Sequence, residues 1–437
     1  MKFKRIVLFL VALFTVLNLT GCSIFTIDTE QLITPPELTG DMYPIYKALT
    51  ASIKEEYQLK YPSLGEHRSA IILEDINGDG RLEAFAFYST SGDEMTNMHI
   101  NAISRSGDTY KSIADQSIVA GGVEKVDFCD LDGDGTSEIL VGWEVYGSSE
   151  KQLCVYSLSG ETLSQRFTEK YTGFLCCDLT DDGQSELFVH SLNTADMVNS
   201  AAVYRFTEGG FEKIGGCVLD SMVKTVSETV YSKLSTGKSA VYIDEIKGAG
   251  AVTEVLFFED GELKNPLLDT ESTIENIRTL RAASIQSRDI DGDGIIEIPV
   301  ATNLPNAADK EELLFYTNWC VFGGENLTTK RITIVNTIDG YYLEIPENLA
   351  GRIAVLKDTD KHRRVFYLYD AEHETVGERI ATITVISADE WDSEDYNRMN
   401  MFELARSGDK CFIGSINLTA NSGLSEKELK NMFKITG

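Results

Sequence analysis

The nine residues DLDGDGTSE, Asp130 to Glu138, constrain this chain more than any other stretch. Four carboxylates packed so closely repel one another unless a positive group sits among them. The glycines at the fourth and sixth positions permit the positive φ that a tight wrap around such a group needs. The motif recurs as DINGDGRLE from Asp75 to Glu83, DLTDDGQSE from Asp178 to Glu186 and DIDGDGIIE from Asp289 to Glu297. The starts lie 55, 48 and 111 residues apart. The long gap contains EIKGAGAVTE (245–254), which keeps the glycines and the last glutamate without the inner carboxylates and is expected to be a lapsed copy.

The flanks repeat with the loops. An apolar run precedes each of the first three, SAIILE, VEKVDFC and GFLCC, and each final glutamate opens a β-like run such as EAFAFY (83–88), EILVGW (138–143) or ELFVH (186–190). A third strand and a glycine turn follow, as in LCVYSLSG (153–160), and a fourth strand leads to the next loop. Four strands in a unit of roughly 45–60 residues is the period of propeller blades.

Ca²⁺ takes six to eight oxygen ligands from carboxylates, carbonyls and water. Side-chain oxygens at positions 1, 3, 5 and 9, with the backbone carbonyl of position 7, supply them. The expected ligands are Asp75, Asn77, Asp79, Arg81 (carbonyl) and Glu83 in the first loop, and Asp130, Asp132, Asp134, Thr136 (carbonyl) and Glu138 in the second. The last loop offers Asp289, Asp291, Asp293, Ile295 (carbonyl) and Glu297. The third offers the weaker set Asp178, Thr180, Asp182, Gln184 (carbonyl) and Glu186, with Asp181 where a glycine usually stands. An EF-hand would need its bidentate acid at position 12, where this chain has Ala86, Val141, Val189 and Val300. Three to four structural Ca²⁺ ions are expected.

The loops and the strands around them resemble the FG-GAP and VCBS-type repeats, the calcium-loop β-propellers of integrin heads and bacterial surface proteins. The resemblance covers roughly residues 66–335 and implies a mainly β chain, a propeller of about five (five to seven) four-stranded blades. The strict FG-GAP signature residues are absent, so the seven-blade count does not carry over.

The N-terminus reads as a secretion signal. A basic MKFKR precedes the apolar IVLFLVALFTVLNL, and LTGC (19–22) resembles a bacterial lipobox. The resemblance implies that residues 1–21 are removed and that Cys22 carries the acyl chains that hold the protein to a membrane, on the extracytoplasmic face of a bacterial envelope. Residues 22–65 then form a tether and a helix over 40–57, with Ile45, Ala48, Leu49, Ser52 and Ile53 on one face. The net charge of -30 disfavours nucleic acid as a partner. The seven cysteines after Cys22 lie mostly in apolar runs and read as buried thiols.

From about residue 336 to 437 the character changes to a small α+β domain. Strands are expected at 340–346, 352–358, 363–370, 379–387 and 410–416, partial helix over 392–405, and a helix 425–435 opened by a Ser425–Glu428 capping box. It resembles C-terminal modules of Firmicutes lipoproteins.

Enzymatic motifs are missing: no HExxH, GxSxG or P-loop occurs, and STGK (235–238) lacks the companions of an SxxK enzyme. Tyr88 and Trp143, each five residues past a motif glutamate, and the nearby Tyr146 are candidates for a ligand-binding rim. The expectation is a binding module for a glycan or a protein, with no catalytic residue assigned. The alternative is an extracellular carbohydrate-active lyase or hydrolase, marked by unassigned charged groups converging in one cleft.

Overall fold

The structure, a computed structural model, describes residues 42–436 apart from 91–96, 108, 149, 194–195, 270–273, 283–284, 306–314, 358–361 and 421–423. The segment expected to be a signal sequence, and Cys22, lie outside the described residues. The described chain is mainly β and forms six antiparallel sheets in series.

Helix α1 (Met42–Ser52) is followed by the first sheet: β1 (Tyr57–Leu59), β2 (Ile71–Glu74), β3 (Glu83–Thr90), β4 (Asn97–Ser106) and β5 (Thr109–Val119). β1 and β2 share one edge of β3. The second sheet holds β6 (Gly122–Cys129), β7 (Glu138–Glu144), β8 (Lys151–Ser159) and β9 (Thr162–Tyr171). The third holds β10 (Gly173–Cys177), β11 (Glu186–Asn193), β12 (Val198–Thr207) and β13 (Gly210–Val218). The fourth comprises β14 (Thr225–Lys233), β15 (Ser239–Lys247), β16 (Gly250–Glu259), β17 (Glu262–Lys264) and β18 (Arg281–Ala282), the last two both paired to β16.

The fifth sheet runs through β19 (Ile298–Asn303), β20 (Phe315–Phe322), β21 (Leu327–Asn336) and β22 (Tyr341–Glu344). The sixth holds β23 (Ile353–Lys357), β24 (Arg363–Asp370), β25 (Thr375–Ser387), β26 (Phe402–Ser407) and β27 (Lys410–Ile416), with α2 (Ala388–Asp392) after β25. After α3 (Glu426–Met432), β28 (Phe433–Ile435) returns to pair with β22.

The stacking explains the hydrophobic pattern. Strands β3, β7 and β11 are buried on both faces, so EAFAFY, EILVGW and ELFVH are nearly continuous apolar runs. The outer strands β5 and β9 alternate largely between partly buried and exposed positions, as an edge with one face toward water does. Five of the apolar cores lie between consecutive sheets: Phe87 and Trp143 join the first to the second, Leu140 and Leu187 the second to the third, Phe188 and Ile243 the third to the fourth. Tyr242 and Phe322 join the fourth to the fifth, and Tyr341 and Phe412 the fifth to the sixth. Each such side chain contributes about 1.5–3 kcal/mol of burial. Consecutive four-stranded meanders packed face to face are consistent with propeller blades.

Several expectations are corrected. EIKGAGAVTE is not a lapsed loop. Glu245, Ile246 and Lys247 pair with Val252, Ala251 and Gly250, leaving a two-residue hairpin turn at Gly248 (φ 62°) and Ala249. The turn that takes the place of the nonapeptide in this sheet is the short LSTGK (234–238), between β14 and β15. The region after 336 carries two short helices on a five-stranded sheet, and shares one core with the fifth sheet. Helix α1 stops at Ser52, buries Ile45 and Leu49 against the first sheet, and gives way to β1. Ser425 and Glu428 do form the capping box, but α3 ends at Met432 because Phe433–Ile435 is taken up by β22.

Candidate metal centres and a polar cleft

The first three nonapeptides link β2 to β3, β6 to β7 and β10 to β11, and the last, 289–297, leads into β19 of the fifth sheet with Arg288 and Glu297 bridged at its base. Their backbone is held by their own side chains. The aspartate at position 1 accepts the position-6 N–H: Asp75 from Gly80 (2.8 Å), Asp130 from Gly135 (2.9 Å), Asp178 from Gly183 (2.9 Å) and Asp289 from Gly294 (2.8 Å). The aspartate at position 5 accepts the N–H of position 7 in all four, for instance Asp134 from Thr136 at 2.7 Å. Gly78, Gly80, Gly133, Gly135, Gly183, Gly292 and Gly294 all have positive φ, which accounts for their recurrence.

The residue at position 2 anchors the loop. Ile76, Leu131 and Leu179 are buried, and the position-9 glutamate accepts the position-2 N–H, Glu138 from Leu131 at 3.0 Å and Glu297 from Ile290 at 2.9 Å. Neighbouring loops also touch. Ser137 N–H donates to the Ile76 carbonyl (2.7 Å), and the Gln184 amide donates to the Leu131 carbonyl (3.0 Å). The loops of the first three sheets therefore lie side by side along one edge of the stack.

Two of them assemble acidic triads. Asp130, Asp132 and Glu138 each present an oxygen within 4.8 Å of the others, and so do Asp289, Asp291 and Glu297. Burial, with the charges of Asp132 and Asp130, pushes the Glu138 carboxyl above the usual glutamate range. Glu297 is raised by burial and by its three loop aspartates, and one of its oxygens is buried without a hydrogen-bond partner. Buried carboxylate oxygens are rarely left unpaired. The oxygen-only donor set fits a hard divalent cation. In the first loop, Glu83 also has one buried unpartnered oxygen, and burial followed by the Asp79 charge raises its carboxyl.

The third loop differs. Arg205, on β12, reaches Glu186, Thr180 (2.6 Å) and Asp182 (2.7 Å). Asp181, at φ 59°, turns outward to Lys233 (2.7 Å) and the Ser239 N–H (2.9 Å) in the fourth sheet. Burial works to raise the Asp181 carboxyl, but Lys233 and Ser239 outweigh it and hold it low.

The aromatic residues do not form the expected rim. Trp143 is 1% exposed and packs on Phe87 in the core between the first two sheets. Tyr146 is exposed and lines a separate shallow depression. Tyr88 is buried, yet its hydroxyl donates to Asp115 in the wall of a cleft of about 590 Å³ between the end of α1 and the first sheet.

That cleft holds groups to which sequence alone assigned no role. Asp115, on β5, accepts from His99 Nδ1 (2.8 Å), from the Asn101 amide (2.7 Å) and from Tyr88. Burial works to raise the Asp115 carboxyl, but hydrogen bonds from His99, Tyr88 and Asn101 hold it below the usual range. The Tyr88 ring stacks on His99 at 4.6 Å, and His99 Nε2 lies 3.4 Å from the Thr90 hydroxyl. Lys54 and Glu55 also line the cleft. The signal was present: His99 and Asn101 are polar at alternate positions of a central strand whose other face, Met98 and Ile100, is fully buried.

No family model matches the chain, and no curated protein matches it in sequence. Among solved structures it is similar to an exotype rhamnogalacturonan lyase at 12% identity and a TM-score of 0.32, over 74% of this chain and 84% of that one. A Bacillus licheniformis rhamnogalacturonan lyase gives 12% and 0.32, over 72% and 90%. A periplasmic gluconolactonase of Pseudomonas aeruginosa gives 14% and 0.30, over 74% and 88%. Such TM-scores establish neither a shared fold nor a shared activity. Among the described residues no helix is long and apolar enough to cross a membrane.

Proposed function

We propose that this chain is a lipid-anchored β-propeller of the bacterial cell surface, held to the membrane by acyl chains on Cys22, with blades stabilised by Ca²⁺, and that it binds a glycan or a protein. The observation that carries the reading is the pair of acidic triads built on two sheets with the same loop geometry. Asp130, Asp132, Asp134 and Glu138 would hold one ion, Asp289, Asp291, Asp293 and Glu297 another, and Asp75, Asn77, Asp79 and Glu83 a third. The metal supplies the positive charge that these carboxylates otherwise lack. The residues fix the turn and aim the oxygens, so the ion's role is structural.

The test is thermal unfolding of the full chain in detergent, in EGTA and then in millimolar Ca²⁺. A ligand at a hundredfold excess over its Kd stabilises by about 2.7 kcal/mol per site. The expected result is a rise of several degrees with Ca²⁺ and a much smaller one with equal Mg²⁺. An unchanged midpoint, with no ion bound by titration, would sink the reading.

The cleft of the first sheet favours a second reading, an extracellular carbohydrate-active enzyme. His99 donates Nδ1–H to Asp115 and leaves Nε2 to take or give a proton beside Thr90. On a panel of polysaccharides this reading expects release of reducing ends or unsaturated products, lowered at least about a hundredfold by His99→Ala. A wild-type chain inactive on the whole panel removes it.

A further inference from the structure

We infer that Arg205 is the resident cation of the third loop, so that residues 178–186 hold their turn without a metal ion. The inference rests on the reading of the other loops as ion sites, and it separates one loop from them.

The sheet register supplies the first argument. In the first sheet Ala84 pairs with Ile103, which brings Ser104 opposite Glu83. In the second, Ile139 pairs with Tyr156, which brings Ser157 opposite Glu138, and its hydroxyl donates to Glu138 at 3.0 Å. In the third, Leu187 pairs with Tyr204, and the position opposite Glu186 is Arg205. Where two sheets place a short neutral side chain, the third places a long cationic one.

The second argument is where the guanidinium ends. It bonds Glu186 through Nε (3.1 Å) and also through Nη2, and Nη2 bonds Thr180 (2.6 Å) and Asp182 (2.7 Å). These are positions 9, 3 and 5, three of the four side-chain positions expected to hold an ion. The fourth, Asp178, is engaged with the N–H groups of Asp182 and Gly183. A dication entering here would have to displace the guanidinium or sit against it at like charge.

The third argument is composition. Position 3 is the neutral Thr180, and the extra acid, Asp181, is turned away to Lys233 and Ser239. The loop thus has one inward carboxylate fewer than residues 130–138, as suits a monovalent partner. The arginine near the last loop behaves otherwise. Arg331 bonds Glu344 at 3.0 Å and approaches only Asp291, at 3.8 Å, which leaves that triad open.

The experiment is a Ca²⁺ titration of the full chain in detergent by calorimetry, reading the number of ions bound. Asp182→Asn is expected to leave the wild-type count unchanged, whereas Asp132→Asn lowers it by one. Thr180→Asp combined with Arg205→Ser, which restores four side-chain oxygens and the serine of the second sheet, is expected to raise it by one. A count lowered by one in Asp182→Asn overturns the inference and leaves the other loops as ion sites. A wild-type chain that binds no Ca²⁺ overturns the reading on which the inference rests, and the inference with it.

Discussion

The second and third sheets are near copies with opposite solutions to one electrostatic problem. Both connect their first two strands with a nine-residue turn in which Asp130 or Asp178 gathers the loop N–H groups. Both seat the final glutamate in apolar surroundings, Glu138 3% and Glu186 0% exposed. In the second, the carboxylates face one another and the opposite strand offers only Ser157. In the third, Arg205 fills the space. Hydrogen bonds and glycines set the turn in both, and the difference lies in how the buried charge is met: by Arg205 in the third and, on the reading proposed above, by a metal ion in the second.

The largest effect that would break this comparison is removal of Arg205. Arg205→Ser leaves Glu186 buried without its partner; the arginine side chain is 26% exposed and the glutamate 0%. The expected cost in EGTA is about 3 kcal/mol, the low end for one lost partner of a buried pair because the arginine is partly solvated. Chemical denaturation in EGTA measures it, and a loss under about 1 kcal/mol would make the guanidinium a bystander. Gly135→Ala should come next. At φ 85° a Cβ is strained, and nothing lies within 4 Å to clash with it, so a loss of about 1–2 kcal/mol is expected from the backbone alone, with or without calcium.

The smallest effect concerns pH. The folded, metal-free Glu138 holds its proton more tightly than the ordinary glutamate, whose value is 4.5. Its contribution to stability is thus full below that value and is lost as pH rises through the raised folded value. In EGTA, wild type should lose stability over that window more than Glu138→Gln does, by about 1.4 kcal/mol for every tenfold by which folding tightens the proton on Glu138. Unfolding midpoints measured between pH 4 and 8 give the difference, and parallel profiles for the two proteins would refute it.

The sequence by itself determined the local features. Alternating aspartates and glycines fixed the turns because their hydrogen bonds run within nine residues. The apolar runs fixed β3, β7 and β11, and Ser425 with Glu428 fixed the start of α3. These are short-range matters of periodicity, φ and capping. What fills each loop was decided by register between strands, and Arg205 stands nineteen residues after Glu186. The same holds for His99 and Asp115, brought together across β4 and β5. Trp143 looked like a rim residue until the facing sheet buried it. EIKGAGAVTE looked like a loop until β15 paired with β16 through it. Spacing along the chain cannot tell a turn that must bind an ion from one whose neighbour already supplies the charge, because the supplier lies across the sheet and is chosen by packing.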